Sequence, residues 1–314
     1  MTGQLYMTGL GVYLPHAMVT NAALPSLEPA LSLAEMDRVG ILRRGVASEQ
    51  EDVGMMAVSA ASRALEQAKI NPDTLDFLIL ANWTERRFVP DFAPRVQHAL
   101  GASRAFAFDV CCACSGFLYG LSLAHGYLQN PNFSRGLVIA SDRSTRHIRP
   151  KSRGTLVFGD AAAAVVVERD AGHGSRFLDY ELATDGSRHQ LMELDSAGFL
   201  VSHIKQRDLN ELAGRSIAAV SRTLLARNRL TLDDVKWIIP HSGTAGVQAM
   251  VAEALATPTH KILTNLPLIG NVTTASIPAA LHHFKELGTV QSGDLILSAS
   301  VGLGWQSAAV LYNA

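Results

Sequence analysis

The segment Asp109-Val110-Cys111-Cys112-Ala113-Cys114-Ser115-Gly116 sets a thiol where an apolar strand gives way abruptly to a helix. Residues 105–110 read as a short buried strand, apolar and rich in β-formers. From Ser115 onward, Phe117, Leu118, Leu121, Ala124 and Leu128 recur at helical spacing and share a face. Cys114 therefore falls at or just before a helix N-terminus. Free N–H groups and the helix dipole favour a thiolate there and pull a thiol below its ordinary value of about 8.5. A thiolate is the form that nucleophilic catalysis needs. Free cysteines are also commonly buried as small hydrophobes, which is how Cys111 and Cys112 read.

Two more polar residues end predicted strands. Pro240-His241-Ser242-Gly243 follows the apolar run Trp237–Ile239, and Gly270-Asn271-Val272-Thr273 opens a helix. Taken singly, Asn271 is ordinary turn chemistry and His241 is one of 11 histidines. In open α/β sheets, however, functional groups collect beyond the carboxyl ends of strands, so the three elbows can converge.

The elements that must position them alternate. A strand is expected over 5–12, irregular chain over 16–51, and a helix over 53–69 with Asp52 as N-cap and Asn71-Pro72 as stop. A strand over 75–81, a helix over 91–100 closed by Gly101, and strands over 136–140 and 161–168 follow. The second half repeats the order: helix 209–227, strand 235–239, helices 244–256 and 276–287, strands 294–299 and 307–312. This alternation implies parallel βαβ units under helical layers, in two units of residues 1–170 and 171–314 that share one ancestral plan. The first carries Cys114; the second carries His241 and Asn271.

Composition narrows the function. With 314 residues, 48% hydrophobic, 18% charged and a net charge of −1, the chain can bury a large core. It has no basic tract for nucleic acid, and no apolar run approaches the roughly 20 residues of a membrane span. Three cysteines within four positions cannot form a secreted disulfide framework and lack a second Cys/His pair for zinc. The expectation is a cytoplasmic protein with reduced thiols and no metal.

Together, Ala113-Cys114-Ser115-Gly116-Phe117, Pro240-His241 and Gly270-Asn271 with Ala275-Ser276-Ile277-Pro278-Ala279-Ala280-Leu281 resemble the β-ketoacyl-acyl-carrier-protein synthase III family of the thiolase superfamily. Arg153-Gly154-Thr155 with Phe158-Gly159-Asp160, Arg38-Val39-Gly40-Ile41 and Gly302-Leu303-Gly304 resemble further elements of that family, in the same order. The resemblance implies a layered αβαβα fold, normally a homodimer, and no cofactor beyond CoA or phosphopantetheine thioesters as substrates. It implies that Cys114 takes an acyl group from acyl-CoA or an acyl-carrier protein. His241 and Asn271 would then hold the carbonyl oxygen of a malonyl thioester while it loses CO₂. His241 has a second candidate role as the base for Cys114. The Cys114 N–H and, by position, that of Val301 would form an oxyanion hole. Arg38 and Arg153 would bind substrate, and Phe88, in Trp83-Thr84-Glu85-Arg86-Arg87-Phe88, would wall the acyl pocket.

Departures from the family pattern bear on substrate. Ala34 stands where relatives that use acyl-CoA carry a tryptophan, and Ser242-Gly243-Thr244-Ala245-Gly246 replaces the usual segment after the histidine. Ala299 stands where a phenylalanine is common, which would leave room for a bulkier second substrate and a role in specialised metabolism as well as fatty-acid or polyketide initiation. The alternatives are an acyltransferase that passes the Cys114-bound acyl group to another nucleophile, or a non-catalytic partner subunit. A carboxylate in place of Asn271 would suit plain acyl transfer better, so Asn271 favours carbon–carbon bond formation.

Overall fold

The computed structural model describes residues 3–86, 89–241 and 243–314. Its elements in chain order are β1 (Leu5–Tyr13), β2 (Ala17–Thr20), α1 (Leu33–Asp37), β3 (Arg43–Val46), α2 (Val53–Ala68), β4 (Phe77–Ala81), α3 (Phe92–Leu100), β5 (Phe106–Val110), α4 (Gly116–Leu128), β6 (Arg135–Asp142) and β7 (Ala161–Arg169). There follow β8 (Ser175–Thr184), β9 (Met192–Leu194), β10 (Leu200–Ser202), α5 (Gln206–Arg227), β11 (Trp237–Pro240), α6 (Ala245–Leu255), α7 (Leu266–Ile269), α8 (Ser276–Glu286), β12 (Leu295–Gly302) and β13 (Gln306–Asn313).

Alternation along the strands builds the layers. In β4, Leu78 and Leu80 point to the core under α2 and α3, while Phe77 and Ile79 point to the core around α4 and α8. β7 divides the same way, Ala162, Ala164 and Val166 against Ala161, Ala163 and Val165. On the other side Leu297 of β12 and Leu311 of β13 face α5 and α6, whereas Ile296 and Val310 face the central helices. The result is the expected helix–sheet–helix–sheet–helix stack, with α4 and α8 in the middle. α4 is apolar nearly all round because it is covered, and α8 is buried over its first half, Ser276 to Leu281.

The strands run in the order β11-β12-β13-β8-β1-β7-β6-β4-β5. On one side, chain order first-fifth-fourth-second-third gives β1-β7-β6-β4-β5. On the other, β8-β13-β12-β11 repeats it, and an isolated parallel bridge from Ile238 to Ile262 stands in the third place. Among the described strands, the two sides pair where Tyr6 and Met7 meet Arg176 and Ser175, and an isolated parallel bridge joins Phe158 to Asn271.

The sheets are mixed, as expected, with antiparallel pairs outnumbering the parallel ones that were expected to dominate. β4–β5, β4–β6 and β11–β12 are parallel, but β1–β7, β6–β7, β1–β8, β8–β13 and β12–β13 are antiparallel. Connection length explains one of these: residues 303–305 are too short to hold a crossover helix, so β12 and β13 form a hairpin, whereas β7 and β8 both pair antiparallel with β1, which lies between them. The interval 16–51, read as irregular, holds β2, β3 and α1. α1 opens with a capping box in which Ser32 and Glu35 bond reciprocally.

Candidate active site

Two elbows of the same construction meet between the layers. After β5, residues 113–115 form a single 3₁₀ turn that leads into α4 at Gly116, and Ala113 at its head has φ +42°. After α7, Gly270 (φ +74°) and Asn271 lead to a 3₁₀ turn over 273–275 and into α8 at Ser276. Thr273 at the head of that turn has φ +49°. A β-branched residue in the left-handed region is an outlier, of the strained kind found where a site is over-determined by its surroundings. Gly270 is required, since a Cβ there would stand 2.9 Å from the Val157 carbonyl oxygen in a backbone that side chains avoid.

Asn271 is sewn to the Val157–Gly159 segment. Its N–H donates to the Val157 carbonyl at 2.8 Å, and its own carbonyl accepts the Gly159 N–H at 3.0 Å. Behind that segment lies Arg44, fully buried, whose guanidinium donates to the carbonyls of Val19 and Leu156 and to Asn21 Oδ1. His241 follows β11, and its N–H donates to the Ala299 carbonyl of β12 at 2.8 Å. Cys114, His241 and Asn271 all line one cavity of about 220 Å³. Val301 and Gly302 at the end of β12 line it too, as does Arg153 at an exposed position.

The electrostatics invert one expectation. Burial and the nearby Asp142 carboxylate push the Cys114 thiol up to about 12, so the cysteine rests as a thiol and not as a thiolate. The α-helix begins two residues beyond the sulfur, which sits in the 3₁₀ prelude enclosed by protein. Withdrawal from water outweighs the helix's partial charge there. Burial also pulls His241 down to about 4, which keeps its imidazole neutral, and its Nδ1 has no hydrogen-bond partner. No Asp or Glu is among the described residues that line the cavity.

The other predicted residues fall as follows. Ala299 does not reach the cavity; it is fully buried in the core under α5 and α6, so its small size opens no space for substrate. Arg38 is exposed at the end of α1, outside the cavity lining. Phe88 lies outside the described residues, as do Arg87 and Ser242. Trp83, Met192 and Leu200 line the cavity, and sequence alone gave no reason to choose the last two, which stand on the small β9–β10 hairpin. Asp142 was also missed, because an Asp at a strand end reads as a turn former.

A five-layered molecule whose two stacked elbows open on one cavity is thiolase-like. The chain belongs to the 3-oxoacyl-[acyl-carrier-protein] synthase III family, whose model matches residues 108–186 and whose C-terminal model matches residues 225–314. The β-ketoacyl-[acyl-carrier-protein] synthase III of Aquifex aeolicus is 36% identical over 304 residues, covering 96% of this chain and 97% of that protein. That of Hyphomonas neptunium is 33% identical, covering 98% of each. Among solved structures, the Aquifex aeolicus synthase superposes with TM-score 0.92 at 34% identity, over 99% of this chain and 100% of that one. The priming β-ketosynthase of the R1128 polyketide pathway gives 0.88 at 26%, over 99% and 96%. Proteins of this family are acyl-transferring condensing enzymes.

Proposed function

We propose that this protein loads an acyl group onto Cys114 and condenses it with a malonyl-type thioester, as in the initiation of fatty-acid or polyketide chains. The observation that carries the reading is a cavity holding a thiol, a neutral imidazole and a carboxamide with no carboxylate in its described lining. Sulfur attacks the carbonyl of an acyl-CoA or acyl-carrier-protein thioester. The bond to the carrier sulfur breaks, and the carrier thiol leaves with the proton Cys114 gives up. The neutral His241, with Nδ1 unpartnered, suits both the transfer of that proton and later donation to an oxygen.

In the second half-reaction a malonyl thioester loses CO₂, and its enolate oxygen takes hydrogen bonds from His241 and Asn271. Two neutral donors stabilise that charge without repelling the incoming carboxylate. The enolate carbon attacks the acyl carbonyl, a carbon–carbon bond forms, and the Cys114 sulfur departs and is reprotonated. The N–H groups of Cys114 and Val301 serve the tetrahedral oxyanion.

Arg153 meets the phosphates or carrier surface at the mouth, Arg38 lies further out, and Phe88 belongs to the acyl pocket in this reading. The repeated strand order supports duplicated units at 1–170 and 171–314. A homodimer is supported by β5, one of the two outermost strands of the sheet, where Phe106 remains 37% exposed over an aromatic cluster with Phe108, Tyr127 and Phe133. Such an open apolar edge is a template for a second strand. Three free thiols, one exposed, support a reducing cytoplasmic setting.

The test is intact-protein mass spectrometry after incubation with a panel of acyl-CoAs and acyl-carrier proteins, wild type beside Cys114→Ala. An adduct on the wild type alone, discharged by malonyl thioester with release of CO₂, is expected. An adduct that leaves without CO₂ would replace condensation by simple acyl transfer.

A further inference from the structure

Asp142 ends β6 fully buried, and neither of its oxygens faces the cavity described above. Its Oδ1 accepts the Trp83 N–H at 3.1 Å and the Thr84 hydroxyl at 3.1 Å. Its Oδ2 accepts the Thr273 hydroxyl at 2.5 Å, the Thr274 N–H at 3.2 Å and the Thr274 hydroxyl. Burial raises its pKa, and the donors from Thr273, Thr274 and Trp83 work against that rise.

The repeated topology shows what this carboxylate occupies. Ala81 of β4 pairs with Ala140 of β6, and Pro240 of β11 pairs with Ala299 of β12. Counting two residues on places Asp142 where the other side has Val301. The two 3₁₀ turns match likewise, Ala113 with Thr273 and Cys114 with Thr274, each pair sharing the left-handed residue at its head. The Thr274 N–H is thus the counterpart of the Cys114 N–H. One opens on the cavity, and the other is filled by a carboxylate oxygen from within the chain.

That filling links two walls of the site. Asn271 Oδ1 accepts the Thr273 N–H at 3.0 Å, so the orientation of the carboxamide depends on a residue whose hydroxyl Asp142 holds. At its other end Asp142 holds the N–H of Trp83, which lines the cavity. We propose, on the condensation reading above, that Asp142 is a positioning residue: its carboxylate locks the second elbow to the Trp83–Thr84 loop and so aims the Asn271 amide at the developing enolate. The same carboxylate stands near enough to Cys114 to disfavour its thiolate.

The test uses the full chain with Asp142→Asn, Asn271→Ala and the double variant. Acyl loading of Cys114 is read by intact mass, CO₂ release from malonyl thioester by label, and thiol reactivity by iodoacetamide alkylation against pH. Asp142→Asn should load no more slowly than the wild type while CO₂ release falls roughly 10- to 100-fold, the range for groups that orient a functional side chain. The double variant should be within about twofold of Asn271→Ala, because the two residues act through one amide. The alkylation profile should move to lower pH.

Retained CO₂ release in Asp142→Asn, losses that multiply in the double variant, or loading and CO₂ release falling together would each overturn the assignment. If Asp142→Asn does not fold, Thr273→Val removes a single hydroxyl at similar shape and carries the same comparison. A wild type that loads but releases no CO₂ overturns condensation alone. Asp142 is then judged by the NMR signals of the Asn271 side-chain amide, whose displacement in Asp142→Asn upholds it and whose constancy sinks it.

Discussion

The main-chain N–H of Thr273 donates to Asn271 Oδ1 at 3.0 Å, which leaves the NH₂ end of that carboxamide as the donor available to the cavity. A residue that could present either an acceptor or a donor is thereby committed to donating. Replacing Asn271 by Ala should lower decarboxylative condensation by about 10²- to 10³-fold, the usual loss for one oxyanion donor. Asn271→Asp should lose at least as much, since it sets a charge beside a forming enolate. Loading of Cys114 should persist in both. Parallel assays of adduct mass and CO₂ would show it, and a loss of loading equal to the loss of CO₂ would refute the division of labour.

His241 gives the fold a pH signature. Its pKa falls from the ordinary 6.5 to about 4 through burial, so the folded chain binds fewer protons than the unfolded chain between those values. Stability is therefore fully present above about 6.5 and is lost as pH falls towards 4, by about 3 kcal/mol. Asp109 and Asp160, both raised to about 6 first of all by burial, act with the opposite sign and favour the fold as pH falls. They are common to wild type and His241→Gln, and so cancel in the comparison. Urea midpoints at pH 7 and 4.5 should draw together in His241→Gln relative to wild type; equal slopes would contradict the burial argument.

Gly302 is held to glycine by the nucleophile elbow. A Cβ there would stand 2.6 Å from the Cys112 carbonyl oxygen, 3.0 Å from the Cys114 nitrogen and 3.1 Å from the Ser115 nitrogen. All three are backbone atoms that cannot swing aside. Gly302→Ala should cost about 1–3 kcal/mol as overpacking and should slow acyl loading more than it lowers stability. Thermal melting beside adduct formation would test this, and an unchanged loading rate would exclude close approach of β12 to the thiol turn.

The dimer is tested at β5. Phe106→Lys places a charge on an exposed edge position, a substitution that blocks strand pairing. Sedimentation equilibrium should show a dimer for the wild type and a monomer for the variant. A variant that remains dimeric would move the interface elsewhere.

Much of this was readable from residue types. Asp52 caps α2 by accepting the Met55 N–H at 2.7 Å, and Gly101 closes α3 at φ +72°, both as the sequence predicts. The three elbows were visible because each pairs a polar residue with an abrupt change of period. β8 was not, since Arg176, Asp179 and Glu181 interrupt its apolar pattern. Asp179 and Glu181 are satisfied by Arg227 from a distant helix. Ala299 misled because its place just before the glycine loop says nothing of which face its side chain takes, and it packs under α5 and α6. The Cys114 thiol misled because a helix terminus is local, whereas enclosure by Asp142 and the surrounding core is not.

The narrow junction where β1 meets β8 has a practical consequence. The nucleophile belongs to one side of it and the two amide-and-imidazole donors to the other, while among the named strands the ladder crosses at just Tyr6 and Met7 of the described residues. Alignment of the reacting groups is thus entrusted to local ties at the elbows, Asn271 to Val157 and Gly159 and Asp142 to Thr273 and Thr274, with the packed central layer, and not to a continuous ladder. Local contacts of that kind slacken on warming before strands separate. Turnover should therefore fade at a lower temperature than circular dichroism does, so that heat silences the enzyme while most of its secondary structure is still in place.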